Sequence, residues 1–334
     1  MIGEGSWEQA DTTEQAAELS WARAEYLNHP AYAVYKTRLE HLIDKSDEYA
    51  WELGSIDSSV DSTSFAAMSP EEQLAFFFMA GHRLQAEHKV AVLLAAFSRA
   101  VPWQDVHTQA MLARQTSEEY KHTIGVYNFY KDVIGLGDFE QMKQMAEQNA
   151  DQVSTSLYGL LEKYINALSA EPSLRNLIGA FFAYHVVAEG VVAREFSKLT
   201  AQKMSQDNKF PGFLDGHAKV ARDENRHVAF GMAFLRMTYE IYPELTRQII
   251  TSEALEFKQE VDRQLVNAIE DNLGELTQIG YGKTPQEIHA LINKALERNL
   301  RAISPKLREE YLTSLDPIDL TQNVDGPGSN QHDR

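Results

Sequence analysis

Two Glu-x-x-His pairs stand in this sequence, Glu119-Tyr-Lys-His122 and Glu224-Asn-Arg-His227, and each follows a lone glutamate. Glu87 precedes Glu119 by 32 residues, and Glu189 precedes Glu224 by 35. Such an interval is one long helix, a turn and part of the helix running back. Positions i and i+3 share a helix face, so each pair can point at one centre. Four carboxylates and two imidazoles would then converge from four antiparallel helices, the donor set of a dinuclear iron or manganese site in a helical bundle. One Glu-x-x-His pair alone carries little weight; the surroundings add to it. Glu87 lies between Phe76-Phe-Phe-Met-Ala80 and Val90-Ala-Val-Leu-Leu94, and Glu189 between Leu177–Tyr184 and Val191-Val192. An unpaired charge in such a stripe costs several kcal/mol, and metal ions remove that cost.

Composition narrows the chemistry further. The 334 residues include no cysteine, which removes disulfides, thiolate metal sites and iron–sulfur clusters. Metal must then bind through His, Asp and Glu, which suits iron and manganese. A formal net charge of −18 argues against nucleic acid as a partner. No charged-then-apolar N-terminal segment resembles a signal peptide, and the apolar runs Ala75–Gly81 and Val90–Phe97 are too short to cross a bilayer. The expectation is no membrane span and a cytoplasmic location.

The chain reads as all-α. Ser69-Pro70-Glu71-Glu72 carries a capping box with proline at the first helical position. The metal-bearing helices are expected at about 69–100, 104–134, 172–205 and 212–242, with a connecting helix around 139–169 between the second and third. Pro243 opens a sixth helix to about Leu276, and Thr284-Pro285-Gln286-Glu287 caps a seventh. Residues 29–315 form one helical domain, residues 1–28 read as a polar arm or short helix, and 316–334 as a disordered tail.

Among the other titratable groups, Glu118 lies about 100° around the helix from Glu119, a place for solvent contact or for support of a ligand. Glu195 reads as exposed. Of His82, His88, His185 and His217, only His185 sits one helical turn from an expected ligand, and a hydrogen-bonded core histidine is its simpler role. Asp223, just before Glu224, can accept a histidine N–H and orient the ring.

At these residues the sequence resembles the ribonucleotide reductase small-subunit superfamily, whose fold is a ferritin-like four-helix bundle extended by additional helices. Its ligand-binding oxidase branch is the most similar, and the resemblance covers about Asp44 to Glu240. It implies six metal ligands, Glu87, Glu119, His122, Glu189, Glu224 and His227, holding one Mn and one Fe, or two Fe. Trp51 matches the electron-transfer tryptophan that works through the aspartate at Asp223. Val90 and Tyr184 match the valine and tyrosine that become joined by an ether link. Tyr184 and Glu189 are five apart, which a regular α-helix would splay by about 140°, so a π-bulge is predicted between them. The resemblance further implies dioxygen as co-substrate, a long-chain fatty-acid-like ligand, C–H oxidation and a homodimer. Phe76–Phe78, Phe181, Phe182 and Leu93–Leu94 are candidates to line a channel for that ligand, with core packing the simpler role for most of them.

Three other readings compete with this one. A radical-generating reductase subunit would place its tyrosine where this chain has Val126, with Tyr127 one residue late, and would end in a tyrosine-bearing tail that 316–334 lacks. The arylamine N-oxygenases of the superfamily need a histidine where Val220 stands. A non-catalytic ferritin-like metal-binding protein would need neither Val90, Tyr184 nor Trp51.

Overall fold

A computed structural model describes residues 5–138, 140–142, 144–145, 152–207, 209–271 and 273–315, with side chains described except at 5–12, 78–86, 88 and 152–158. Among the described residues every regular element is helical. In chain order the helices are α1 Gly5–Ala22, α2 Pro30–Glu48, α3 Asp61–Ala66, α4 Pro70–Leu93, α5 Ala95–Ala100, α6 Val106–Phe129, α7 Gln152–Ala170, α8 Leu174–Phe181, α9 Arg194–Gln206, α10 Pro211–Ile241, α11 Pro243–Glu270, α12 Gly274–Tyr281, α13 Pro285–Ile303 and α14 Pro305–Ser314. A π-helical segment, Phe182–Ala193, joins α8 to α9 without a break.

The predicted helix starts hold where a side chain caps them. Ser69 Oγ accepts from Glu72 N at 3.2 Å and Glu72 returns the bond, and Thr284 and Glu287 repeat the arrangement on α13. Each cap is worth about 1 kcal/mol. The second metal helix starts later than expected, at Val106, because Asp105 caps it through Thr108 N at 3.1 Å. The first breaks at Leu94, and the turn sets Phe97 against Phe181 with ring centroids 5.1 Å apart. The expected sixth helix ends at Glu270, and Gly274–Tyr281 and Pro305–Ser314 are separate helices that no sequence signal had set apart.

Residues 5–28 are not a free arm. Trp21 and Tyr26 are buried and stack at 4.2 Å. The Tyr26 and Tyr32 hydroxyls donate to the buried Asp105 at 2.9 and 2.7 Å. Glu18 accepts from Leu174 N and Arg175 N at 2.7 and 2.8 Å, so α1 satisfies the free amides at the start of α8. The residues 316–334, expected to be disordered, lie outside the described residues, as do the side chains of Phe78, His82 and His88.

The core of the bundle is α4, α6, the π-bearing helix and α10, with α2 and α13 packed around them. Leu174–Gln206 is long and apolar enough to cross a membrane, a length that the shorter apolar runs of the sequence did not suggest, yet 89% of its most apolar window is buried inside the protein. Its apolarity is that of a central helix covered on every side.

Candidate metal centre

The four helices bring the six predicted ligands together. Glu87 comes from α4, Glu119 and His122 from α6, Glu189 from the π segment, and Glu224 and His227 from α10. His122 Nδ1 lies 3.6 Å from Glu87, 3.4 Å from Glu119 and 3.2 Å from Glu224. His227 Nδ1 lies 3.1 Å from Glu119 and 3.5 Å from both Glu189 and Glu224. Donor atoms of Glu87, Glu119, His122 and Glu224 all lie within 4.8 Å of one another, and so do those of Glu119, Glu189, Glu224 and His227. Glu119 and Glu224 belong to both groups.

The donor chemistry fits a pair of cations. His122 Nδ1, His227 Nδ1, Glu189 Oε2 and Glu224 Oε2 are buried without a hydrogen-bond partner, a state that ordinary protein interiors avoid. Burial pushes the Glu189 carboxyl well above the usual range, and the Glu224 charge adds to this. Burial opposes a charged His122, but the bond to Asp223 and the closeness of the Glu119, Glu224 and Glu87 carboxylates outweigh it and raise the ring well above its ordinary value. His227 behaves likewise, through Glu118, Glu119, Glu189 and Glu224. The four glutamates thus demand positive charge, which two divalent ions would supply.

Behind each ring stands a second carboxylate. His122 Nε2 bonds Asp223 Oδ2 at 3.1 Å and His227 Nε2 bonds Glu118 Oε2 at 2.8 Å, which aims each Nδ1 at the centre. Arg226 donates to Glu118 Oε1 at 2.9 Å and to Asp223 Oδ1, and its Nε donates to Ser46 at 3.0 Å. Burial alone would raise Asp223, but its bonds to His122 and Trp51 and the Arg226 charge hold it at about 2. Trp51 Nε1 donates to Asp223 Oδ2 at 2.8 Å, and the Trp51 and His122 rings lie parallel with centroids 6.4 Å apart. The loop carrying Trp51 is tied down where the Asp61 carboxylate accepts from Gly212 N and Phe213 N.

The predicted π-bulge is present. Across Phe182–Ala193 the wider turn brings Tyr184 onto the face of Glu189. Tyr184 donates to Glu119 Oε1 at 2.8 Å, and Gln115 Nε2 reaches both the Tyr184 oxygen and Glu189 Oε1, at 3.2 and 3.1 Å. Burial and the charges of Glu119, Glu189 and Glu224 hold the Tyr184 phenol well above its ordinary value, so it keeps its proton. Val90 and Tyr184 line one small cavity with Glu87, Glu119, Glu189 and Glu224. Asn299 Nδ2, from α13, donates to the carbonyls of Val186 and Gly190 at 3.3 and 3.1 Å. It thereby occupies acceptors that the π segment leaves available. Gly231 lets α10 approach: a Cβ there would lie 2.1 Å from His185 Cβ.

The other side chains mostly take one of the roles expected of them, Glu195 excepted. Glu118 is buried and supports His227. Glu195 is not exposed but half-buried, pairing with Lys198 and Arg298 at 3.1 and 3.2 Å. His185 is a core histidine bonded to Gln115 Oε1 at 3.1 Å, and burial with the His227 charge lowers it to about 3, so it stays neutral. His217 stacks on Phe213. Phe76, Phe181, Phe182 and Leu94 are core residues that do not line the cavity at the donors. Tyr127 donates to Gly137 O at 3.3 Å. Gln115 and Arg226 were missed, although Gln115 sits one turn before Glu119 on the same face and could have been found.

No family model matches the sequence. Among solved structures, the chain is similar to a variant of an R2-like ligand-binding oxidase with an aerobically reconstituted Mn/Fe cofactor. The identity is 20% and the TM-score 0.68 over 83% of this chain and 95% of the other. An R2-like ligand-binding oxidase with the same cofactor after a long soak gives 20% identity and a TM-score of 0.67 over 83% and 94%. An R2-like ligand-binding oxidase from Sulfolobus acidocaldarius gives 21% and 0.65 over 80% and 90%. The chain therefore has the all-α, ferritin-like fold of these proteins.

Proposed function

We propose that this protein is a dioxygen-activating dinuclear metal oxidase that carries one Mn and one Fe, or two Fe. The observation that supports it most is the pair of overlapping donor groups with both histidine Nδ1 atoms buried and unpartnered. Glu87, Glu119 and His122 would hold one metal and Glu189, Glu224 and His227 the other, with Glu119 and Glu224 bridging. When bound, the metals would supply dioxygen activation and the oxidising power for C–H cleavage. Asp223 and Glu118 keep the ring protons on Nε2, leaving each Nδ1 free to ligate. Trp51, through Asp223 and His122, gives electrons a bonded path inward.

The first C–H bond attacked is that of Val90 Cβ. A bond from Val90 Cβ to Tyr184 Oη replaces one C–H and one O–H, and the two electrons and two protons released pass to dioxygen. Glu119 Oε1, 2.8 Å from the phenol oxygen, is placed to receive the Tyr184 proton. The same reading gives the protein a long-chain fatty-acid-like ligand with its carboxyl toward the donors, a homodimeric state and a cytoplasmic location. The cavity there, about 30 Å³, has room for little more than one water-sized group, so the chain of such a ligand needs neighbouring side chains to move.

Metal analysis and intact-mass spectrometry of protein reconstituted with Fe and Mn in air test the proposal. Two metals per chain and a loss of two hydrogens, mapped to the peptides holding Val90 and Tyr184, are expected. An unmodified mass with a stable radical would favour a reductase subunit, and a chain that binds no metal would end both readings.

A further inference from the structure

A second cavity, of about 300 Å³, lies on the His122 side of the centre, beneath the loop of residues 51–58. Buried Trp51 and His122 form its floor, and exposed Gly54 and Asp132 its mouth. The space exists because small residues face it, Gly125 and Val126 from α6 and Gly216 and Val220 from α10. A Cβ at Gly216 would stand 3.1 Å from Ile56 Cδ1, and one at Gly125 would stand 3.4 Å from Leu53 Cδ2, so larger residues there would crowd the loop.

The lining chooses the occupant. Aromatic rings are prominent in it, with Phe129 and a Phe213–His217 stack (5.7 Å, 16° between planes) joining Trp51, and Ser58 and Asn128 bring uncharged polar groups. Such walls favour a flat ring packed offset or edge-on. A volume of this size with few polar groups matches the smaller ligand sites of proteins. No lysine or arginine lines it, whereas the Asp132 carboxylate stands at the mouth of a chain whose net charge is −18. An anion is disfavoured on both counts.

We propose that this cavity binds a neutral one- or two-ring aromatic molecule with one hydrogen-bonding group, a phenol or an indole. Its occupant is thus of a different class from the acyl ligand of the Val90–Tyr184 side. It would touch Trp51 and His122 at once, the two groups that Asp223 joins. The site is built from the loop and two helices, and its existence does not depend on which metals are bound.

Titration calorimetry of full-length protein with 5-bromoindole and 4-bromophenol, beside 4-bromobenzoate, tests binding, and the bromine anomalous peak in soaked crystals tests location. The neutral rings should bind one per chain, at least tenfold tighter than the benzoate, with bromine between Val126 and Val220. Val126→Phe and Val220→Phe fill the space from different helices, and each should weaken binding at least tenfold at an unchanged melting temperature. Absence of saturable binding, a bromine peak elsewhere, equal binding of the benzoate, or unchanged binding to a folded variant would overturn the proposal. The bromine position is read on unsubstituted protein, so it decides the matter even where a variant fails to fold. Metal analysis of the same sample keeps the two readings apart, since ring binding without metal would sink only the oxidase.

Discussion

His122 gives its Nε2 to Asp223 and His227 gives its Nε2 to Glu118, and a single guanidinium, Arg226, is bonded to both carboxylates. From there the two halves diverge. Asp223 also takes the Trp51 indole N–H, so the His122 half connects to a loop near the surface and to a roomy aromatic cavity. The His227 half faces inward, where Gln115 ties Tyr184, His185 and Glu189 into one network against Phe181 and Phe230. Similar donor sets therefore coexist with unequal surroundings. One half is arranged for exchange with the outside, and the other for keeping a phenol in place.

The largest effects should come from the residues the halves share. Glu119→Ala or Glu224→Ala should strip both metals, weakening retention by more than the roughly 10–100-fold that loss of an outer partner costs. Glu87→Ala and Glu189→Ala should chiefly empty one half each. Metal-to-protein ratios after gel filtration decide this, and a bridging variant that keeps one full equivalent would break the division.

Next come the two carboxylates behind the rings. Asp223→Asn and Glu118→Gln should each weaken metal affinity roughly 10–100-fold. Only Asp223→Asn, with Trp51→Phe, should also slow reduction of the loaded centre in stopped flow. If Glu118→Gln slows it equally, the halves are not wired differently.

A pH effect marks the inward half. His185 is held at about 3, well below its ordinary 6.5. The unfolded chain therefore binds this proton first as pH falls. The stability involved is complete above about pH 6.5 and is lost progressively toward pH 3, by about 3 kcal/mol between pH 7 and 4. Urea denaturation across that range should show the slope, and His185→Gln should flatten it. The smallest effect is expected at Asn299→Ala, which frees two buried carbonyls at a cost of about 1–3 kcal/mol. A matching fall in Tm, with less Val90–Tyr184 product, would place α13 in support of the inward half.

The parts of this arrangement that repeat along one helix were legible beforehand. Spacing, with the apolar stretches around Glu87 and Glu189 and the family resemblance, brought Glu87, Glu119, His122, Glu189, Glu224 and His227 together, and the resemblance that put Tyr184 beside Glu189 across a five-residue step foretold the π segment. Ser69 and Thr284 announced their helices because capping is local. What stayed hidden depends on partners from elsewhere in the chain. Glu118 could be read as facing solvent or supporting a ligand until α10 brought His227 to it. Asn299 lies more than a hundred residues from the carbonyls it binds. Residues 5–28 look polar because only a few side chains, Trp21 and Tyr26 among them, do the anchoring. Phe76, Phe181 and Phe182 are core, the simpler of the two roles open to them, since composition does not distinguish a wall from a filling.

The π segment makes the centre a matter of phase as well as of residue identity. It lets Tyr184, five residues before Glu189, meet the same cluster of groups that a regular helix would have turned it away from. Deleting Val187 would leave the pair four apart, about 40° on a regular α-helix, so the wider turn would no longer be needed. Every side chain of the cluster would survive in the sequence, and tyrosine and glutamate would still face the same place. For this protein a single-codon insertion in that apolar stretch, which would put the pair six apart and about 120° around the helix, is a heavier lesion than a single-codon deletion. In aligning a homologue across residues 182–193, a one-residue gap between the tyrosine and the glutamate is then compatible with the same facing of the two side chains.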